Sequence, residues 1–385
     1  MRKIILNLLS FGLAWHALPA GAVGGLEGVS VSGFLTAGAT YADKQLLTNS
    51  HAVSQDGTIE STPGFTADSR LGLQISAQVN PDISVTGQLL AKARDDNSNV
   101  KADWAFVSYR ANDSVSIRGG KIKFPTFLIS DYYEVGYAYP WIRPPQEVYS
   151  LNPISTLNGV DILAKYRFSD LTLLFQPYFG VSRGATALVP QEALGAMSLS
   201  AGTVSYVGFT ADEFYGFNLS LGSDIVTIRI GALQTQVNSS ALSVFSDEAK
   251  FSSAGLTMDW HNVVLYSEYA EREVQGAANF AFPNQKGSYV TLGYRVGKWL
   301  PYVTSARIAD NDNPASLLGT PLKQTSDSLG VRYEIGSGAA VKFEAQKVTP
   351  ETGTRGLLIA NPNGATVSDR GPDVMFYGFT VDVVF

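Results

Sequence analysis

Cysteine is absent from this chain of 385 residues, which excludes disulfide scaffolds, thiolate metal sites and cysteine nucleophiles. Long hydrophobic runs are absent as well. No stretch approaches the roughly 20 apolar residues that a membrane-spanning helix requires, so a helical membrane protein is excluded. Charge is scarce, since 16% of the residues are charged and the formal net charge is -6. This balance excludes highly charged disordered chains and general nucleic-acid binders, and we expect no nucleic acid among the partners.

The N-terminus has the order of segments that is typical of a secretory signal peptide. Two basic residues, Arg2 and Lys3, precede an apolar run over residues 4–15, and a small-residue A-x-A cleavage site follows at residues 20–22. The alternative is a short N-terminal helix. The sequence predicts a signal peptide over residues 1–22 and one mature domain over residues 23–385, because no break in composition indicates a second domain.

Apolar residues alternate with polar ones along most of the mature chain. In residues 70–80 every second position from Leu71 to Val79 is apolar, and the positions between them are polar or glycine. Turn residues follow at Asn80-Pro81-Asp82, and the same alternation then resumes. A period of two predicts strands, and the tight turn predicts that they form an antiparallel hairpin.

Similar hairpins follow along the chain, with tight turns at residues 111–113, 169–170, 222–224, 261–262, 297–298 and 336–338. Together with single strands at residues 29–41 and 375–385, they give about sixteen strands. Longer connections rich in Gly, Asn, Asp, Ser and Pro alternate with the short turns. The sequence therefore predicts an all-β fold, an antiparallel up-and-down barrel whose strands are long enough to cross a bilayer in roughly 9 to 11 residues each.

Alternation does not decide which face of a barrel meets water. The long strands and the export signal favour a transmembrane barrel. The apolar faces also carry aromatic residues near strand ends, as an interfacial girdle would: Tyr41, Tyr109, Phe168, Phe179, Tyr215, Trp260, Tyr294 and Tyr377. About sixteen strands would enclose a lumen too wide for their side chains to fill, so we expect it to hold water.

Four stretches and the export signal resemble Gram-negative outer-membrane porins of the sixteen-stranded type. VSVSGFLT opens the mature chain at residues 29–36, and FTVDVVF closes it at residues 379–385 with a terminal Phe. DWAFVSYR at residues 103–110 and RGGKIKFP at residues 118–125 resemble the fourth and fifth strands of porins distantly related to the phosphate-selective group. The PEFGG motif of enteric general porins is absent. The resemblance implies an outer-membrane location, contact with lipid and lipopolysaccharide, and a homotrimer.

In that family the long third extracellular loop folds into the lumen as a constriction, and by resemblance residues 125–158 are this loop. The loop contains four charged residues of interest, Asp131, Glu134, Arg143 and Glu147, and its prolines limit backbone freedom. The resemblance therefore implies that these residues lie at the pore constriction. The alternative is an ordinary surface loop.

Basic residues outnumber acidic ones on the polar faces of the predicted strands. Five arginines are expected to face the loop across the pore: Arg94, Arg118, Arg167, Arg229 and Arg295. Positive charge along a pore lowers the barrier for anions, which predicts a modest anion preference. The alternative is that these arginines pair with Asp and Glu on neighbouring strands and stiffen the wall.

Residues for catalysis are scarce. The three His residues are far apart in the chain, with His51 in a loop and His261 in a tight turn, and neither a P-loop nor a dinucleotide fingerprint is present. An outer-membrane phospholipase would need His261 beside a Ser and a polar orienting group, and the many serines of a β protein give that interpretation no specificity. We expect no enzymatic activity, no metal and no cofactor.

The sequence thus predicts an outer-membrane porin, a water-filled channel for passive diffusion of small hydrophilic solutes or ions. The alternative is an outer-membrane barrel that acts as a scaffold or adhesin without conductance. Moderate loops and the lack of a long soluble domain favour the channel.

Overall fold

The structure is a computed structural model. It describes residues 28–43, 46–48, 58–59, 63–92, 99–189, 205–240, 243–310, 322–352, 356–360 and 373–385. The predicted signal peptide over residues 1–22 lies outside the described residues, as do His51 and Arg94.

Strands make up almost all of the described chain. In chain order they are β1 (Val29–Ala42), β2 (Leu46–Thr48), β3 (Thr58–Ile59), β4 (Arg70–Asn80), β5 (Ile83–Lys92), β6 (Asn99–Arg110), β7 (Val115–Lys123), β8 (Thr156–Phe168), β9 (Leu171–Val189), β10 (Ser205–Gly222), β11 (Val226–Ser239), β12 (Val244–Trp260), β13 (Val263–Val274), β14 (Gln285–Tyr294), β15 (Trp299–Asp310), β16 (Gln324–Gly336), β17 (Ala339–Pro350), β18 (Leu358–Ala360) and β19 (Val374–Val384).

Sixteen of these strands form one closed antiparallel barrel, and β2, β3 and β18 form a small separate sheet. Each barrel strand pairs with the next barrel strand in the chain, and β19 pairs with β1. The predicted up-and-down barrel of about sixteen strands is therefore confirmed. The turns at residues 81–82, 169–170, 261–262 and 337–338 lie at one end, the short-turn end, and the longer connections lie at the other, the long-loop end.

Helices are short. Those in the described ranges are the 3-10 helices Ser130–Tyr132 and Gly136–Ala138 and the α-helices α1 (Gln146–Tyr149) and α2 (Ala278–Ala281). No helix in this part of the chain has the length and apolarity needed to cross a membrane.

Side chains along the strands alternate between two environments. All ten positions of β14 alternate between buried and exposed. In β4 the apolar Leu71 and Ile75 are 43% and 49% exposed, whereas Arg70 is 5% exposed. Because a closed barrel has only an inside and an outside, the exposed apolar rows face outward and the buried polar rows face inward. The apolar rows thus do not pack against one another at the centre.

The barrel closes where β1 meets β19. The Gly33 N–H donates to the Phe385 carbonyl at 2.7 Å, and the Phe385 N–H donates to the Gly33 carbonyl at 3.0 Å. A Cβ atom added to Gly33 would lie 2.5 Å from Cζ of the Phe385 ring. Only glycine therefore leaves room for the C-terminal ring on the closing strand pair.

We predict that Gly33→Val weakens barrel closure, because overpacking of this kind costs about 1 to 3 kcal/mol. Thermal unfolding of the detergent-solubilised barrel measures the effect as a lower midpoint. Gly208→Val is the matched control, since a Cβ atom at Gly208 meets no atom within 4 Å. Equal midpoints for the two variants would contradict the prediction.

Candidate functional site

Residues 124–155 connect β7 to β8 and pack against inward-facing side chains of the barrel. We call them the inner segment. Nearly all of its residues are buried. Its 3-10 helix Gly136–Ala138 contacts β1 and β19, and its helix α1 contacts β13, β14 and β15. Because only β16 and β17 lie between these two groups of strands, the segment follows the inner wall on this side of the barrel.

Cationic side chains of four strands bind backbone carbonyls of the inner segment. An irregular backbone in a buried place needs such partners, because its carbonyls have no strand or helix to bind them. Lys342 Nζ donates to the carbonyl oxygens of Gly136 at 2.6 Å and Trp141 at 2.7 Å. Arg229 donates to the Leu128 carbonyl at 3.0 Å, Arg272 to the Leu151 carbonyl at 2.8 Å, and Arg332 to the Tyr139 carbonyl at 3.1 Å.

Aromatic side chains fill the space between the inner segment and one side of the wall. The Trp141 ring packs against Tyr266 and Tyr289, with centroids 4.9 Å and 5.5 Å apart. Its indole N–H lies 2.8 Å from the Thr291 hydroxyl and 3.0 Å from that of Thr304. On this side of the barrel, side chains of the inner segment therefore pack against the inner wall. Sixteen strands do not fill their lumen with their own side chains, which leaves room for such a segment.

Two inward-facing glycines give the inner segment its close approach to the wall. A Cβ atom at Gly287 would lie 2.0 Å from the Glu147 carbonyl oxygen, and one at Gly378 would lie 2.8 Å from Cδ1 of Ile142. Any larger residue at either position would displace the segment.

Arg143 forms a buried ion pair with Asp68 in the connection before β4. Its Nε and Nη2 atoms lie 2.8 Å and 2.7 Å from the two carboxylate oxygens. Thr40 also donates to Asp68. Burial alone would raise the pKa of the Asp68 carboxyl, but the Arg143 guanidinium and these hydrogen bonds hold that pKa below its ordinary value. Arg143 thus fixes the inner segment to the long-loop end of the barrel.

Two other predicted carboxylates of the segment also meet bases of the wall. Glu134 is buried, and its carboxylate lies 3.0 Å from Lys92 Nζ on β5. The Asp131 side chain is 29% exposed and lies 3.4 Å from Arg229 Nη1. The Nε of Arg229 donates to Asn218 at 2.8 Å. Glu134 is therefore a buried structural partner, whereas Asp131 keeps access to water.

Glu147 has no cationic partner among the described residues. One carboxylate oxygen accepts from Gln324 Nε2 at 2.7 Å, and the other is enclosed without a hydrogen bond. Burial raises the pKa of the Glu147 carboxyl, and the hydrogen bond from Gln324 opposes part of that rise. Glu268 on β13 is bound in a similar way, by the Leu128 N–H at 2.7 Å and the Tyr149 hydroxyl at 2.8 Å.

Two of the four predicted wall arginines that the structure describes, Arg118 and Arg295, pair with carboxylates of other strands, as in the alternative that the sequence left open. Arg118 binds Asp161 through Nε at 2.9 Å and also through Nη2. Arg295 binds Asp259 at 2.5 Å and 2.7 Å. Arg167 is exposed beside the turn at residues 169–170.

Of the predicted residues, the structure thus brings Asp131 of the inner segment and Arg229 of the wall together. Arg167 and Arg295 lie at the short-turn end instead of facing the charged residues of the segment. Asp68 and Lys92 were not predicted as partners of the segment. Alternation places Lys92 on the polar face of its strand but does not identify Glu134 as its partner, and no signal indicated that a residue of a connection, Asp68, would bind Arg143.

The inner wall stays accessible to water on one side. Gln74, Ser76, Thr86 and Ser108 are half-buried on the inner faces of β4, β5 and β6. The inward residues of β14 and β15, in contrast, are buried throughout. The inner faces of β4 to β6 are therefore more accessible to water than those of β14 and β15, although the segment contacts β5 at its long-loop end through Glu134 and Lys92.

Two features bear on metal binding and on the position of His261. No set of three or more His, Asp or Glu side chains there could hold a metal ion. His261 lies in the turn between β12 and β13, where its ring packs edge-on to Trp260 at 4.6 Å.

Solved structures that share this fold include three outer-membrane proteins. The anion-selective porin from Comamonas acidovorans is 14% identical with a TM-score of 0.56, and the match covers 93% of this chain and 99% of that chain. OmpF of Salmonella typhi in complex with daunomycin is 13% identical with a TM-score of 0.55, and the outer membrane channel DcaP of Acinetobacter baumannii is 12% identical with a TM-score of 0.56; each match covers 93% of this chain and 97% of that chain. No family model and no curated protein sequence matches the chain. At these identities the likeness is one of fold alone, the closed sixteen-stranded barrel of outer-membrane porins.

We predict that Glu147→Gln stabilises the protein at high pH. A carboxyl whose pKa is raised by folding favours its protonated form, so folded-state stability is lost as pH rises above the ordinary value of 4.5. Glutamine resembles the protonated form at every pH. In thermal unfolding we expect the variant to melt above the parent at about pH 8 and at nearly the same temperature at about pH 4.

The control is Glu273→Gln, which alters an exposed carboxylate on the outer face of β13. A difference between parent and Glu147→Gln that is the same at both pH values would show that the buried charge is not its cause.

Proposed function

We propose that this protein is an outer-membrane porin that lets small hydrophilic solutes diffuse passively through its barrel, without a cofactor. One observation carries the proposal: a closed barrel of sixteen strands has apolar side chains outside and charged side chains inside. Lipid is a suitable environment for the apolar outer face, whereas the charged side chains of the inner face need contact with water or with polar groups of the protein.

The outer face supports the outer-membrane location and contact with lipid and lipopolysaccharide. Aromatic residues near strand ends are exposed on it, as expected at the boundaries of a membrane. Examples are Tyr109 at 48%, Phe168 at 49%, Trp260 at 51% and Tyr294 at 53% exposure.

The solute path that we propose runs between the inner segment and strands β4 to β7. Arg118 and the half-buried Asp131 lie beside the accessible wall described above. The inner segment narrows this path, and the ion pair of Arg143 with Asp68 fixes the position of the segment.

A barrel that serves as a scaffold or adhesin without conductance is the second candidate. The buried aromatic contacts of the inner segment favour it, because they close one side of the lumen to water. The two candidates differ in one measurable property, the passage of ions.

Single-channel recording in planar bilayers tests the choice. We expect the purified protein to form open channels. We expect Arg143→Ala to raise their unit conductance or their current noise, because the buried Asp68 loses its ion pair and the segment loses a fixed point. Arg307→Ala is the control, since the Arg307 side chain is 64% exposed.

Protein that inserts without carrying current would support the scaffold. Unchanged conductance in Arg143→Ala would show that the segment does not limit the current.

We further propose that any anion preference is modest and comes from Arg167, at the short-turn end of β8. Its side chain is exposed to water, whereas Arg118 and Arg295 are bound to carboxylates that cancel their field at a distance. In a salt gradient, the reversal potential should indicate slight anion selectivity, and the Arg167→Ala variant should lose most of it. Clear cation selectivity in the parent would refute this proposal.

We also propose a homotrimer that forms through the outer faces of β4 to β7. These faces carry the small residues Ala77, Gly87, Ala105 and Gly119, which let two barrels approach closely. Light scattering in detergent should give three times the mass of one chain, and Ala105→Trp should give a single chain. A monomeric parent would exclude this assembly.

A further inference from the structure

Two aromatic side chains on the inner wall differ from the others. Most inward-facing aromatic residues of the described strands are buried, among them Tyr178, Phe214 and Tyr289. Trp104 and Phe106 on β6 are half-buried. They therefore present aromatic surface to the water-accessible side of the barrel.

The strand register fixes which way these two residues face. Phe106 pairs with Thr86 on β5, and Trp104 pairs with Gln88. Thr86 and Gln88 belong to the polar inward row of β5, and paired residues in a sheet share a face. Trp104 and Phe106 thus line the same wall as the half-buried polar residues that we assign to the solute path.

The two rings and two cations form one cluster. The rings meet edge to face, with centroids 6.2 Å apart. The Arg118 guanidinium lies 5.2 Å from the Phe106 ring centre, and Lys123 Nζ lies 5.4 Å from that of Trp104. Such contacts hold the rings in place and leave their remaining surface available to a ligand.

One hydrogen-bond donor remains in this cluster. Arg118, whose side chain is 8% exposed, uses Nε and Nη2 for Asp161, and its Nη1 donates to no described residue. The indole N–H of Trp104 is enclosed, so it is not available to a ligand. An apolar ring surface beside a guanidinium N–H donor is complementary to a ligand that has a ring at one end and an anionic group at the other.

We propose that Trp104 and Phe106 form a contact site for small aromatic carboxylates on the solute path, with Arg118 as the partner of the carboxylate. This inference rests on the proposed channel function and names a solute class for it. An aromatic contact of this kind favours an aromatic solute over a saturated one by roughly two- to tenfold.

Benzoate and cyclohexanecarboxylate are suitable probes, because they have the same charge and similar size and differ in aromaticity. Reversal potentials with one anion on each side of the bilayer give their permeability ratio. We expect the parent to prefer benzoate, Trp104→Ala/Phe106→Ala to show a ratio near one, and Trp104→Phe to keep most of the preference. Phe175→Ala, which removes an exposed aromatic ring from the outer face of β9, should leave the ratio unchanged.

The outcomes separate this inference from the channel function. A parent that conducts both anions equally overturns the aromatic site and leaves the porin proposal intact, as does a double variant that keeps the preference. A parent that conducts neither anion overturns the channel itself. If the double variant fails to fold, the comparison of the parent with Trp104→Phe and Phe106→Ala separately decides the matter.

Discussion

A closed sheet of sixteen strands encloses more space than its own inward side chains can fill, and the rest of the structure depends on this constraint. The outward-facing rows of side chains are apolar, and contact with lipid is sufficient to cover them. The inward rows contain many charges, and a buried charge without a partner costs several kcal/mol. The inner segment supplies partners and fills space at once, so the barrel and the segment stabilise each other.

The bonds between wall and segment explain how a stretch with little regular structure holds its place. Lys342 is the clearest case, because its ammonium binds two backbone carbonyls and also lies 3.1 Å from Asp382. An ammonium has three donors, and all three find acceptors here. Carbonyls that a strand or helix would have paired are paired by side chains of the wall instead. A regular segment would not need so many inward cations.

Alternation in the sequence was enough to predict the strands and their number, because a period of two is a local property. The outward apolar face was predicted from the strand length, the aromatic residues near strand ends and the export signal. Alternation could not predict the ion pairs of the inner segment. Arg143 and Asp68 are 75 residues apart in the chain. Alternation predicts the face of the sheet on which a side chain lies, but it does not predict which distant residue that side chain contacts. The charged residues of the segment also looked like a solute filter, whereas Glu134 and Glu147 are buried. Gly287 was the available signal for close packing, but a glycine within a strand can equally mark a bulge or a sharp bend.

The asymmetry of the interior determines which residues a solute would meet. The inner segment is bound to β11, β13, β16 and β17, and it covers the wall on that side. The charged side chains of these strands therefore interact with the segment rather than with a solute in the lumen. Water reaches the wall along β4 to β6. A filter made of the whole ring of arginines would require their charges to be unpaired, whereas Arg118 and Arg295 bind carboxylates. We expect selection among solutes to come from the few groups beside this wall. Asp161 cancels the field of Arg118 at a distance and leaves its Nη1 donor for direct contact, and the half-buried rings of Trp104 and Phe106 distinguish this wall from a purely polar one.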